Sequence, residues 1–241
     1  MQDSLYVSLS GQIALERRLN TIADNVANMS TVGFRAGGVR FADLVSGHGA
    51  NSVSFTSTGH NYLATHAGQL RETGNPLDFA VRGDAWFAIE TPAGPVMTRD
   101  GRFQLTAEGG LVTLQGYPVL DAGGAPLQLD PVEGPPEAGA DGALTQNGRR
   151  VGAIGLFTFE PGLDFQRFGN SGIVPTSEPE PLVDRSDIGV AQGFVEDSNV
   201  NPVTEMTRLI QVQRAFDSQM SMTRDTEGSI AEAIRTLGAK S

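Results

Sequence analysis

Three histidines, His48, His60 and His66, are the side chains of this sequence best suited to hold a transition metal. All three lie in a segment rich in glycine, serine and threonine, which offers neither the rigid frame nor the fixed imidazole tautomer of a zinc site. The chain has no cysteine, so thiolate ligands and thiol nucleophiles are excluded as well. We therefore expect no metal and no cofactor.

The alternating oxygen side chains of Asp197, Asn199 and Asn201 have the spacing that opens a calcium-binding loop. Such a loop needs glycine at its sixth position and a bidentate glutamate at its twelfth, but these positions hold Pro202 and Arg208. The pattern is better explained as a turn followed by a helix cap.

Motifs of nucleotide-binding proteins and hydrolases are absent from the sequence, which has no P-loop, dinucleotide fingerprint or G-x-S-x-G elbow. Carboxylates are numerous, but a sequence alone cannot pair two of them across a cleft, so a glycosidase has no positive support. Asp100 lies in a segment typical of a turn. We assign no catalytic residue and expect that the protein is not an enzyme.

The formal charge of −11 argues against nucleic acid or an anionic membrane as a partner. Residues 121–200 hold 13 acidic and 4 basic side chains, which indicates a solvated acidic surface. No apolar run approaches the roughly 18 residues of a membrane span. The N-terminus lacks the basic and apolar regions of a cleaved signal peptide.

The longest amphipathic pattern runs from Asn201 to Leu237, where Asn201 suits an N-cap and Pro202 the first helical position. Residues at alternating steps of three and four are mostly apolar, which is typical of a coiled-coil seam. The seam comprises Met206, Leu209, Gln213, Phe216, Met220, Thr223, Glu227, Ile230, Ile234 and Leu237. A helix of this kind needs a partner helix, in this chain or in another.

A second helix is predicted from Ser4 to about Asn28, and Gly33 suits the left-handed turn after it. Its apolar positions are Leu5, Leu9, Ile13, Leu15, Leu19, Ile22 and Val26. The simplest arrangement packs the two terminal helices on each other or on copies of each other.

The pattern between the helices changes from helical to alternating. Residues 36–67 are weakly periodic and are expected to be an irregular connection. Short strands in antiparallel hairpins are predicted beyond them because Gly-containing turns separate brief apolar runs. The predicted strands are Leu77–Val81, Trp86–Glu90, Val96–Thr98, Phe103–Leu105, Leu111–Thr113, Val151–Glu160 and Gly189–Glu196.

The segment Ile22–Asn28, followed by Thr31–Arg35, resembles the N-terminal signature of the flagellar rod and hook proteins. That motif runs roughly as A-N-N-[IV]-A-N and then T-x-G-[FY]-[KR], from which Asp24 departs in place of the more usual Asn. Further segments resemble other parts of the same family, in the same order along the chain. These segments are Thr73–Ala80, Gly83–Phe87, Thr98–Phe103, Gly109–Thr113, Gly116–Val119 and Glu196–Val203, with Glu205-Met206, Ile210 and Arg214–Phe216.

The resemblance implies an α+β fold, in which long N- and C-terminal helices form a coiled-coil-like domain with an inserted antiparallel β domain. The expected segments are 1–35 (N-terminal assembly helix), 36–67 (connection), 68–196 (outer β domain) and 197–241 (C-terminal assembly helix). Within the family, the chain length, Asn201–Val203, Phe216 and the 233–238 ending favour a proximal rod subunit over a distal one.

The resemblance further implies a structural subunit that polymerises with copies of itself and other rod proteins into the periplasmic shaft carrying torque from motor to hook. Such subunits are exported by the flagellar type III apparatus without a cleaved signal, and the chain is expected neither to bind nucleic acid nor to insert into a membrane. The predicted assembly interface comprises Leu9, Leu19, Ile22, Asn25, Val26, Asn28, Gly33, Phe34, Met206, Leu209, Ile210, Phe216, Met220, Ile230, Ile234 and Leu237.

Three alternatives stay open at this point. The first is a distal rod subunit of the same family. The second is a glycan-binding or hydrolytic β domain with helical arms, and the third is a monomeric adaptor whose two helices pair only with each other.

Overall fold

A computed structural model of the protein describes residues 2–46, 53–57, 59–182 and 187–238. In this part of the chain, helix α1 (Gln2–Ala27) comes first, a series of short strands follows, and helix α2 (Pro202–Gly238) comes last. The strands are β1 (Gly37–Arg40), β2 (Asp43–Ser46), β3 (Val53–Thr56), β4 (His60–Leu63), β5 (Leu70–Glu72), β6 (Phe79–Arg82), β7 (Trp86–Thr91), β8 (Gly94–Thr98), β9 (Phe103–Leu105), β10 (Leu111–Thr113), β11 (Glu137–Ala138), β12 (Ala143–Gln146), β13 (Arg149–Ala153), β14 (Leu156–Thr158), β15 (Gln166–Phe168), β16 (Gly172–Val174), β17 (Glu180–Pro181), β18 (Gly189–Gln192) and β19 (Phe194–Glu196).

The chain divides into two compact units. The helical unit contains Met1–Val26, Gly37–Asn61 and Asn201–Ser241, and the β unit contains Ala27–Ala36 and Tyr62–Val200. The chain therefore passes from one unit to the other four times. No helix within the described residues is long and apolar enough to cross a membrane.

The predicted helix signals are confirmed. The side chain of Asn201 accepts a hydrogen bond from the backbone N–H of Thr204 at 3.1 Å, as an N-cap does. Pro202 is the first residue of α2. Gly33 has a φ of +70°, the left-handed conformation expected after α1.

The prediction of a coiled-coil-like domain is wrong, because the described residues show one helix at each end of the chain and no coiled coil. The contacts between α1 and α2 include polar ones: Ser8 Oγ lies 2.9 Å from Thr223 Oγ1 and accepts a hydrogen bond from Gln219 Nε2 at 2.8 Å. Leu9 and Met206, which a buried seam would cover, are half exposed, at 50% and 47%. A coiled coil requires such positions to be buried as knobs in holes.

The β unit is built on a six-stranded antiparallel sheet in the order β15-β16-β8-β7-β14-β17. Smaller pairs surround it: β9 with β10, β6 with β18, β5 with β19, and the three strands β11-β12-β13. Phe87 and Phe103 lie at the centre of its core, with ring centroids 5.4 Å apart in an edge-to-face arrangement. The predicted antiparallel hairpins are thus confirmed.

Two predicted strands are broken at glycines. The strand expected at Val151–Glu160 is interrupted at Gly155, where a Cβ atom would lie 2.5 Å from the carbonyl carbon of Asp121. The strand expected at Gly189–Glu196 is interrupted at Gly193, whose φ of +78° cannot continue a strand.

Residues 36–67 also differ from the expected irregular connection, since they contain β1 to β4. Strands of four residues are too short to produce a clear alternating pattern.

Candidate assembly site

Three charged side chains from distant parts of the sequence meet inside the β unit. Glu196 Oε1 lies 2.8 Å from Arg35 Nη2, and its other oxygen lies 3.1 Å from Arg99 Nη1. Each of the three side chains is only 1% exposed. We call Arg35, Glu196 and Arg99 the ionic clasp.

Backbone groups and an aromatic ring make further contacts with the ionic clasp. Glu196 Oε1 accepts the backbone N–H of Gly68 at 2.9 Å, and Arg99 Nη2 donates to the carbonyl oxygen of Gly83 at 2.9 Å. Both guanidinium groups lie over the ring of Trp86, at 5.6 Å for Arg35 and 5.2 Å for Arg99. The two cations thus share one carboxylate and one indole ring.

Burial determines the electrostatics of the clasp. It lowers the pKa of the Arg35 guanidinium to about 10, although the Glu196 carboxylate acts in the opposite direction. Burial also lowers the pKa of Arg99, again against the influence of Glu196. Arg35 therefore remains a cation at neutral pH, and Glu196 is the carboxylate that pairs with both guanidinium groups. Removing one partner of such a buried pair typically costs about 3–5 kcal/mol.

Asn199 ties three backbone segments together beside the ionic clasp. Its Oδ1 accepts the N–H of Ala36 at 2.7 Å, and its Nδ2 donates to the carbonyl oxygens of His66 at 2.8 Å and Ala64 at 3.3 Å. The turn-and-cap explanation of the 197–201 segment is therefore confirmed, with Asn199 in the turn and Asn201 in the cap. Asp197 instead pairs with Arg71 on the surface, at 3.1 Å.

Two predicted assembly residues, Gly33 and Phe34, are buried inside the β unit. The N–H of Gly33 donates to the carbonyl oxygen of Glu196 at 2.7 Å. Phe34 is 1% exposed, and the guanidinium of Arg167 lies over its ring, 4.3 Å from the ring centroid. Their visible role is to hold this unit together. Asn28, also in the β unit, is half-buried.

A polar cluster organises the helical unit. Asn25, 2% exposed, exchanges two hydrogen bonds with the backbone of Gly37, each at 2.9 Å. Its amide also donates to Glu205 Oε2 at 3.4 Å, and Glu205 Oε1 lies 2.5 Å from Arg208 Nη1. Asn25 therefore connects α1, the start of β1 and the first turn of α2.

The remaining predicted assembly residues lie on α1 and α2. Ile22 is buried, Leu19, Val26, Leu209, Phe216 and Met220 are half-buried, and Leu9, Met206 and Ile210 are exposed. Met220 accepts a hydrogen bond at its sulfur from Gln12 Nε2 at 3.4 Å. Ile230, Ile234 and Leu237 belong to α2, but their side chains lie outside the described residues.

Two side chains in the described part of α2 are buried, and each lies one position before a residue of the predicted seam. Glu205 and Val212 are 5% and 3% exposed, while the expected seam positions Met206 and Gln213 are exposed. Val203, Met206 and Ile210 recur at helical spacing and are 75%, 47% and 51% exposed. We call these three residues the α2 stripe. On α1, Leu9 and Ile13 lie one turn apart and are exposed, and we call them the α1 pair.

Models of three protein families match successive parts of this chain. The model described as "Flagella basal body rod protein" matches residues 5–35, and "Flagellar hook protein FlgE/F/G D1 domain" matches 80–149. "Flagellar basal body rod FlgEFG protein C-terminal" matches 191–235. Arg35, Arg99 and Glu196 each come from a different one of these three regions, so the ionic clasp joins all of them.

The chain belongs to the flagellar basal-body rod protein family. It is 67% identical to the rod protein FlgF of Mesorhizobium japonicum over the whole of both chains. It is 54% identical to FlgF of Rhizobium meliloti over 99% of each chain. The rod protein FlgG of Bacillus subtilis is 31% identical, over 97% of this chain and 98% of its own. Within the family, these identities assign the chain to the F type, and neither the distal type nor a glycan-directed protein is favoured.

Proposed function

We infer that the protein is a structural subunit of the bacterial flagellar basal-body rod, of the proximal F type. Full-length identity of 67% to a FlgF protein carries this conclusion. The subunit assembles with other rod and hook proteins into the periplasmic rod. The rod carries torque, so its subunits need rigid contacts with their neighbours.

The proposed contact surface for assembly is the α2 stripe together with the α1 pair. The α2 stripe places three large apolar side chains on one face of the first turns of α2, with about half or more of each exposed. Burying such a side chain contributes about 1.5–3 kcal/mol. When a surface of one copy contacts a different surface of the next, the contact repeats into an open helical array.

The predicted interface residues divide into two roles under this proposal. Leu9, Met206 and Ile210 are exposed and are available to contact a neighbouring subunit. Ile22 and Asn25 are buried in the helical unit and support the surface from within, whereas Gly33 and Phe34 are buried in the β unit and hold that unit together. The ionic clasp and Asn199 stiffen the β unit, which suits a subunit under mechanical load.

The proposal also covers the route and the chemistry of the protein. Export would use the flagellar type III apparatus without a cleaved signal, as the family resemblance implies. We also propose that the protein has no catalytic activity and binds no metal or cofactor, because its sequence contains no motif of a known active site. Neither nucleic acid nor a membrane is a proposed partner, given a formal charge of −11.

The test compares two neighbouring positions of α2. Ile210→Asp places a charge in the α2 stripe, whereas Gln211→Asp places the same charge on an exposed position beside it. Burying an unpaired carboxylate at a contact costs several kcal/mol. We expect basal bodies isolated from Ile210→Asp cells to lack the protein and the cells to be non-motile, while Gln211→Asp cells behave as wild type.

Both purified variants should give the same helix content by circular dichroism, which shows that folding is intact. Normal amounts of the Ile210→Asp chain in isolated basal bodies would overturn the α2 stripe as the contact surface.

A further inference from the structure

A loop of the β unit, residues 130–136, carries the most exposed large apolar side chain among the described residues, Val132 at 91%. A single exposed valine is ordinary. This loop, however, is held by the buried side chain of Gln146, which is 2% exposed. Gln146 accepts the N–H of Asp130 at 2.9 Å and donates to the carbonyl oxygens of Asp130 at 2.9 Å and Gly134 at 2.6 Å. We call residues 130–136 the proline loop.

The sequence of the proline loop adds to its rigidity. Pro131, Pro135 and Pro136 fix their φ angles and lack N–H donors. The N–H of Val132 donates to Asp130 Oδ1 at 2.8 Å, and Glu133 pairs with Arg149 at 3.2 Å. A segment fixed in this way loses little conformational entropy when it binds, so its tip is preorganised for a contact.

A pocket of about 450 Å³ lies elsewhere on the β unit. One wall is the pair Tyr117 and Phe168, whose ring centroids are 5.3 Å apart at an interplanar angle of 69°. The exposed amides of Gln115 and Asn170 lie at its lining, where they can donate hydrogen bonds. Aromatic walls with nearby donors are what proline-rich segments bind, and the volume is within the roughly 300–1,000 Å³ of binding pockets.

The proline loop and the pocket lie at opposite ends of the β9–β10 ribbon. Thr113, paired with Phe103, lines the pocket at one end. At the other end, the N–H of Leu129 donates to the carbonyl oxygen of Gly109 at 2.8 Å, and the proline loop follows directly. The two features are therefore different surfaces of one β unit, so a contact between them joins two copies of the chain. The joined copies still have one unused proline loop and one unused pocket, to which further copies can bind. Such a contact is heterologous and repeats along an array.

We propose that the proline loop of one copy docks in the Tyr117–Phe168 pocket of the next copy. Val132 and Pro131 contact the aromatic wall, and the amides of Gln115 and Asn170 donate to carbonyl oxygens of the loop. This contact rests on the proposed function, because it needs copies arranged in an array, and it adds a β-unit contact to the helical one.

The absence of cysteine from the chain makes cross-linking a clean test. Cells would express two full-length copies, one carrying Val132→Cys and the other, with a size tag, carrying Asn170→Cys. Isolated basal bodies would then be treated with a short bismaleimide. We expect a covalent dimer of the two copies as a major product.

The matched control replaces Asn170→Cys with Arg150→Cys, an exposed position next to Arg149, which pairs with Glu133 of the proline loop. The yield of the covalent dimer from this control pair should be several-fold lower. Equal yields for the two pairs, with both copies present in the basal bodies, would overturn the docking while leaving helical assembly intact. A product that joins the Val132→Cys copy only to a protein of different sequence would overturn the second copy as the occupant. Absence of even the wild-type chain from basal bodies would instead overturn the proposed function.

Discussion

Gly33 and Gly74 adopt the same left-handed backbone conformation, each with a φ of +70°, but in different surroundings. A Cβ atom at Gly33 would lie 2.3 Å from the backbone nitrogen of Asp100, whereas one at Gly74 would meet no atom within 4 Å. Gly33 is therefore required for its torsion and also for its missing side chain. At Gly33 the N-terminal signature lies directly against the backbone of Arg99 and Asp100.

These two glycines make a paired prediction. Gly74→Ala introduces only the left-handed strain, about 1–2 kcal/mol. Gly33→Ala introduces the same strain and a backbone clash, so we expect a clearly larger loss in the free energy of unfolding. Urea denaturation of both purified variants measures the difference. Equal losses would show that the backbone of Asp100 moves aside easily.

Helix α2 uses two faces for different purposes. Val212 and Glu205 lie on the buried face, and Glu205 is held there by Asn25 and Arg208. Met206 lies on the exposed face, one position further along the chain. The helix thus packs within its own unit through one face and leaves an apolar face to solvent.

This assignment of faces predicts different costs for two truncations. Val212→Ala removes two buried methyl groups, so it should lower the free energy of unfolding by roughly 2 kcal/mol. Met206→Ala removes a side chain that is 47% exposed and should cost well under half as much in the isolated chain. Thermal unfolding of the two purified variants compares them. A larger cost for Met206→Ala would restore the seam expected from the sequence.

Features that depend on adjacent residues were predictable from the sequence, whereas contacts between residues far apart in the sequence were not. The strands Phe103–Leu105 and Leu111–Thr113 and the Asn201 cap depend on adjacent residues, and all three are confirmed. The predicted seam of α2 differs from the buried face by one residue at Met206 and Gln213, because Met206 is apolar and Glu205 is not, whereas its positions Leu209, Phe216 and Met220 are half-buried. Nothing in the apolar pattern indicates that a glutamate is buried by an asparagine 180 residues away. The ionic clasp was missed for the same reason.

Charge is distributed unequally over the whole molecule. The β unit contains 19 acidic and 9 basic side chains, a net charge of −10, while the helical unit contains 9 and 8, a net charge of −1. Under the proposed assembly through the nearly neutral helical units, each copy adds one strongly acidic β unit to the array. Repulsion between these units opposes assembly until counterions screen it.

Self-association of the purified chain should therefore strengthen with salt. Between about 0.01 M and 0.15 M ionic strength the Debye length falls from about 30 Å to about 8 Å, which screens most of the repulsion between neighbouring β units. Analytical ultracentrifugation across this range measures the change, with the Ile210→Asp chain as the non-associating control. Weaker association at higher salt would indicate that ion pairs between copies dominate instead.

The fourfold passage of the chain between its units determines how the protein can be cut into fragments. A contiguous fragment of residues 62–200 keeps Arg99 and Glu196 but loses Arg35, together with Ala36, which bonds to Asn199. A fragment that starts at residue 27 keeps all of these partners but also carries Gly37–Asn61, which belongs to the helical unit. Expression of the β unit alone therefore calls for residues 27–200 with a short linker in place of 37–61, rather than for a simple truncation at either end.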